Sequence, residues 1–146
     1  MKKILFFAAA MLLTITAFAE VIPANDSRVT YVGRTMVDGT DVSFDWTATY
    51  FRIAFSGKSL TMKASETKWD ADADKAATRH NYYNVWIDSP TSAEPHRIIE
   101  VAGNDTVIEL VDPAYLKKSR RAVHEVIVQK RTEGEQGKTT VHEFAT

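Results

Sequence analysis

The sequence predicts an all-β protein: an antiparallel two-sheet β-sandwich of about nine strands with one short helix. Three observations carry this. Apolar and polar residues alternate through most of the chain, as in Val42-Ser43-Phe44-Asp45-Trp46, which marks strands with one buried face. Asp38-Gly39, Ser56-Gly57-Lys58 and Gly103-Asn104-Asp105 separate such runs and are expected to close hairpins. The length of 146 residues suits one domain.

The N-terminal segment reads as a signal peptide over residues 1–19. Lys2 and Lys3 supply its positive start and Ile4 to Ala17 its apolar stretch. Ala17-Phe18-Ala19 is the small-x-small site before Glu20. The apolar run is shorter than the roughly 20 residues a membrane span needs. No Cys follows to carry a lipid, so the expected product is exported, periplasmic or secreted, and free of the membrane. Residues 20–28 form a polar leader with Pro23, and residues 29–146 the sandwich domain.

The first strand is expected over Val29–Met36, followed by Val42–Trp46. In Thr49–Ser56, Phe51, Ile53 and Phe55 oppose Arg52. Leu60, Met62 and Ala64 alternate with Thr61 and Lys63. In Asn81–Asp88, Tyr83, Val85 and Ile87 face one way and Tyr82, Asn84 and Trp86 the other. Arg97–Val101, Thr106–Val111, Ala122–Lys130 and Thr139–Phe144 complete the set. Pro113–Ser119 alone reads as helix, with Asp112 as N-cap and Pro113 at the first helical position. Two longer loops remain: Glu66–His80, which holds Trp69, and Ser89–Pro95.

Composition narrows the function. The chain is 45% hydrophobic and 25% charged, with a net charge of −1, an ordinary globular balance. Losing the first 19 of 146 residues leaves 127. It removes Lys2 and Lys3, so 16 of the 18 cationic residues face 19 acidic ones, a net charge of −3. This acidity argues against nucleic acid and anionic membranes as partners. The absence of Cys excludes disulfides, thiolate zinc sites and thiol catalysis. Stability must come from the core, and a chain of this size buries roughly two thirds of its unfolded surface.

Five phrases in order resemble the N-terminal domain of carbohydrate esterase family 2. They are Gly33-Arg34-Thr35, Phe44-Asp45-Trp46, Phe55-Ser56-Gly57-Lys58-Ser59-Leu60, Asn81 through Asp88, and Lys130-Arg131-Thr132-Glu133-Gly134. The resemblance spans residues 29 to 144 and implies a jelly-roll β-sandwich. In that family the sandwich precedes an SGNH-type hydrolase domain that deacetylates plant polysaccharides such as xylan and glucomannan. Here the sequence stops at Thr146. The expectation is therefore a non-catalytic accessory domain associated with deacetylation or binding of plant polysaccharide. Its implied partners are such a polysaccharide or an SGNH hydrolase domain. The alternatives are a truncated fragment of an acetyl xylan esterase and a structural envelope sandwich.

No catalytic residue is assigned. The Gly-Asp-Ser turn of SGNH nucleophiles is missing. Asn25-Asp26-Ser27 lies in the leader, and Gly103-Asn104-Asp105 fits a turn. His80, His96, His124 and His142 lack an Asp at a family spacing. No metal or cofactor is assigned either: Asp70, Asp72 and Asp74 alternate like a calcium loop, but Lys75 and Asn81 occupy positions that an EF-hand gives to Gly and Glu.

Aromatic rings pack on the C–H faces of sugars while amides and carboxylates take the hydroxyls. Trp69, Tyr82, Asn84, Trp86 and Asp88 are accordingly the candidates for carbohydrate binding or a domain interface. For Tyr82 and Trp86, packing or an interface is preferred; Trp69, on a polar loop, is the better sugar candidate. Arg34, Arg131 and Glu133 are candidates for a structural ion pair, with Arg34 reaching Glu133 if the first and late strands pair.

Overall fold

The computed structural model describes residues 19–69 and 79–146. The expected signal segment, apart from Ala19, and the Asp70, Asp72 and Asp74 loop lie outside the described residues. Among the described residues there are eleven strands: β1 (Val21–Pro23), β2 (Val29–Val32), β3 (Met36–Asp38), β4 (Asp41–Phe44), β5 (Tyr50–Phe55), β6 (Leu60–Thr67), β7 (Asn81–Ile87), β8 (Arg97–Val101), β9 (Thr106–Val111), β10 (His124–Lys130) and β11 (Lys138–Ala145). One helical turn, α1 (Pro113–Leu116), and a 3-10 turn (Gly134–Gln136) complete them.

The strands form two antiparallel sheets. The first runs β3-β4-β11-β6-β9, and the second β2-β5-β10-β7-β8. In the first, β11 pairs with β6 along its whole length, while β4 and β1 share its other edge end to end. The predicted sandwich is therefore present, and its inner faces are those the alternation marks. Phe51, Ile53 and Phe55 of β5, Val126 and Val128 of β10, and Tyr83 and Val85 of β7 meet Leu60 and Met62 of β6 and Val141 and Phe144 of β11. Phe51 and Phe144 touch edge to face across the layers, ring centroids 5.3 Å apart. Each such side chain contributes about 1.5–3 kcal/mol by leaving water.

Four expectations change. The strand expected over Val29–Met36 is broken at Gly33, whose φ of +121° turns the chain from β2 in the second sheet to β3 in the first. A Cβ there would lie 2.7 Å from Thr49 Oγ1. Of the three expected hairpins, only Asp38-Gly39 closes one, with Asp38 opposite Asp41. Ser56-Gly57-Lys58 and Gly103-Asn104-Asp105 instead carry the chain between sheets, from β5 to β6 and from β8 to β9. Turn residues report that a chain reverses; they do not report whether the flanking strands pair. The leader contributes β1, with Ile22 fully buried against the core. The helix is one turn, capped by Asp112 through Ala114 N–H as expected.

Candidate functional site

One end of the sandwich is organised by a buried lysine. Val126, Val128 and Lys130 occupy successive inward positions of β10, so the strand's own period drives Lys130 into the interior, where it is 1% exposed. Its ammonium donates to three backbone carbonyls: Asp45 at 2.8 Å, Glu133 at 3.1 Å and Gly137 at 3.3 Å. Burial is the largest influence on it and lowers its pKa to about 8; the Asp45, Glu66 and Glu133 carboxylates oppose that shift. The lysine joins the turn after β4 to the turn after β10. Backbone bonds reinforce the junction, from Ala48 N–H to the Lys130 carbonyl and from Lys130 N–H to that of Thr49, both 2.9 Å.

This clasp decides where Trp46 points. Alternation would place Trp46 inward beside Val42 and Phe44, but β4 ends at Phe44. Asp45 is held by its carbonyl, Ala48 adopts a φ of +66°, and the indole of Trp46 is turned out, 57% exposed. Arg34, in the turn between β2 and β3, lies over that ring, its guanidinium carbon 5.4 Å from the centroid.

Trp69 stands nearby, 53% exposed, two residues beyond Thr67, which pairs with Lys138. Arg34, Met36, Asp45, Trp46, Trp69 and Lys138 line one cavity of about 320 Å³, near the lower bound of small-molecule clefts. Ser43 forms part of its floor and is hydrogen-bonded to Thr140 at 2.8 Å.

A polar network fixes the approach to Trp69. Buried Glu66 accepts both the backbone and the side-chain N–H of Asn81 at 2.9 Å, and its other oxygen meets Lys68 at 2.9 Å and His80 at 3.1 Å. Asn81 in turn accepts from Thr132. Among the described residues no buried side-chain polar atom lacks a partner.

The remaining predicted residues lie elsewhere. Tyr82 is 37% exposed on the outer face of the second sheet, with Asn84 half-buried beside it. Trp86, on that same face, is 3% exposed; its indole N–H donates to the Ala93 carbonyl at 2.8 Å, so the 89–96 loop lies against it. Asp88 serves the opposite end of the sandwich, bound to His124 at 2.7 Å and to Glu125 N–H at 3.0 Å. These four do not form one platform with Trp69.

The expected pairing of Arg34 with Glu133 is replaced by other contacts, because β5 separates β2 from β10. Arg34 lies over Trp46, Glu133 accepts from Thr47 Oγ1 at 3.1 Å, and Arg131 is exposed, its N–H donating to the Tyr82 carbonyl.

A hydrogen-bonded series unforeseen from the sequence crosses the outer face of the first sheet. His142 Nδ1 lies 2.9 Å from Asp41 Oδ2, and its Nε2 2.8 Å from Ser65 Oγ. The connectivity is that of a serine hydrolase triad, but the surroundings differ. Ser65 sits within β6, a strand paired on both edges. Its Oγ already accepts Asp105 N–H at 2.8 Å, and none of the principal surface cavities is lined by these three residues. Acyl transfer requires donors aimed at a developing oxyanion. What the series does is pin the β11 bulge at His142 to both neighbouring strands.

Residues 31–146 match the family described as Carbohydrate esterase 2 N-terminal. The fold resembles a family two carbohydrate esterase from Cellvibrio japonicus, with a TM-score of 0.68 at 18% identity, over 88% of this chain and 33% of that one. A family two carbohydrate esterase from Clostridium thermocellum, in complex with cellohexaose, gives 0.60 at 17% identity over 80% of this chain and 30% of that one. The CBM36-1 domain of a multidomain xylanase from the hindgut metagenome of Trinervitermes trinervoides gives 0.57 at 9% identity, over 88% of this chain and 95% of that domain. The chain thus spans about a third of the length of the esterases it resembles. At these identities the likeness establishes the fold. Comparison with curated proteins finds no match.

Proposed function

We propose, for a chain that belongs to the Carbohydrate esterase 2 N-terminal family, the role of a non-catalytic accessory β-sandwich that engages plant-type polysaccharide through the Trp46–Trp69 cavity. The observation that carries this reading is the pair of indoles, each more than half exposed, on one cavity whose backbone is held by a fully bonded buried lysine. Exposed indoles cost free energy in water, and fixed ones lose little entropy when a sugar ring stacks on them. Support also comes from the esterase neighbour solved with cellohexaose and from the xylanase CBM36-1 domain, which the chain matches over nearly that domain's whole length. Export is part of the proposal: cleavage after Ala19 leaves β1 whole and keeps Glu20, which pairs with Arg28 at 2.6 Å.

Titration with soluble xylan and glucomannan, followed by Trp fluorescence, tests the reading. Trp86 is buried and supplies a constant background. Saturable quenching is expected, weakened about tenfold or more, roughly 1.4 kcal/mol, by Trp46→Ala or Trp69→Ala. A flat response to both polymers overturns the proposal. A second reading draws on the one-third share of the esterases that this chain spans: the same indoles seat a hydrolase domain. It predicts no glycan response but protection of Trp46 from oxidation when such a domain is added.

A further inference from the structure

Arg34 and Lys138 are the two cations of the cavity lining, and Asp45 is its carboxylate. Asp45 already has a cation to serve: it is foremost among the carboxylates that favour the charged form of buried Lys130. Neither Arg34 nor Lys138 has an anionic partner among the described residues. Arg34 lies over the Trp46 ring, its guanidinium carbon 5.4 Å from the centroid. A guanidinium attracted to an aromatic ring still has N–H donors to offer, and its fork can take both oxygens of a carboxylate. Lys138 comes from a different element, the start of β11, on the same cavity. Among the described residues the cavity lining thus holds two cations and one carboxylate, on a chain whose net charge is −1.

We propose that the cavity selects saccharides that carry a carboxylate, that is, polysaccharide substituted with uronic acid. Trp46 and Trp69 take the C–H faces of the sugar rings, and Arg34 and Lys138 take the carboxylate. This rests on the saccharide reading above and adds the charge of the ligand to it. Because Arg34 is exposed and Lys138 only half-buried, the preference is screened by salt and should shrink as ionic strength rises.

The test is calorimetric titration of the full chain with glucuronoxylan and with the same polymer after its carboxylates have been reduced to alcohols. Reduction is expected to weaken binding about tenfold. Arg34→Gln and Lys138→Gln should weaken binding of the native polymer by a larger factor than binding of the reduced polymer, with far-UV spectra confirming that both variants fold. Equal binding of the two polymers overturns the charge selection and leaves the saccharide site standing. Absence of binding to either overturns both. Binding of glucuronoxylan that survives Trp46→Ala together with Trp69→Ala places the attraction elsewhere on the surface and overturns the inference.

Discussion

Replacing Lys130 by methionine keeps an unbranched side chain one atom shorter and removes its charge and its three donors. The carbonyls of Asp45 and Gly137 lose this partner, and that of Glu133 keeps only the Gln136 N–H. A hydrogen bond to a charged group contributes about 1.5–3 kcal/mol, so a simple sum would exceed the stability of many domains. Two effects reduce it. The ammonium's own desolvation cost disappears with it, and water can reach the bonds to Asp45 and Glu133, which are only part-buried. The bond to Gly137 is buried, and an orphaned buried carbonyl costs about 1–3 kcal/mol. The expected net loss is about 2–3 kcal/mol, a fall in Tm of roughly 6–12 °C for a domain of this size. Thermal unfolding followed by circular dichroism measures it. Cavity binding should weaken in the same variant, because the Trp46 turn loses its anchor. A Tm within about 2 °C of the parent, with binding intact, would refute the claim that Lys130 organises this end.

Lys130 also predicts a pH dependence. Burial lowers its pKa from 10.5 to about 8, so between these values the unfolded chain holds more protons than the folded one, and stability from this group rises with pH. The Tm gap between the parent and Lys130→Met should therefore widen from about pH 7 to pH 10; a narrowing gap contradicts the assignment. At Gly137 a Cβ would overlap the Thr67 carbonyl oxygen at a φ of +123°, so Gly137→Ala should cost about 3 kcal/mol or more, and an unchanged melting curve would show that this turn is not tightly held. For the Ser65–His142–Asp41 series, Ser65→Ala should leave hydrolysis of p-nitrophenyl acetate at the parent's level, whereas a tenfold or greater loss of turnover would establish acyl transfer at Ser65.

The sandwich was legible because alternation is a local signal. Each strand's inner face follows from its own residues, and strands β5 to β11 fall close to where period two places them. The order of strands in the sheets is not local, and the turns at Ser56–Lys58 and Gly103–Asp105 were misjudged for that reason. Trp69 was recognisable as a loop aromatic with little core to fill. Trp46 was not, because it continues the alternation of Val42 and Phe44, and only a carbonyl bond from a residue 85 positions away ends the strand before it. Lys130 did leave a trace: a cation in phase with Val126 and Val128 is out of place on a core-facing register. Read as a buried group in need of acceptors, it directs attention to the turns around it.

Four of the five phrases that carry the family resemblance acquire a common physical meaning in three dimensions. Gly33-Arg34, Asp45-Trp46, Asn81 and Lys130 to Gly134 meet at one end, although the chain visits that end at four widely separated points. Gly33 clears Thr49, Gly134 lies close to the Asp45 carbonyl, where a Cβ would come to 3.3 Å of the oxygen, and Asn81 links Glu66 to Thr132. An apolar core cannot rigidify a side chain that must stay in water; packing holds only what it buries. Polar anchoring of the backbone can, because it fixes the turn and leaves the ring outside. Trp86 and Trp46 illustrate the two cases. Trp86 is bound through its own indole and covered by a loop, whereas Trp46 is held through the carbonyl of its neighbour, with its indole left out in solvent beside Arg34. The second arrangement gains nothing for the fold that a smaller residue would not supply, which is why the case for ligand binding falls on Trp46 and not on Trp86.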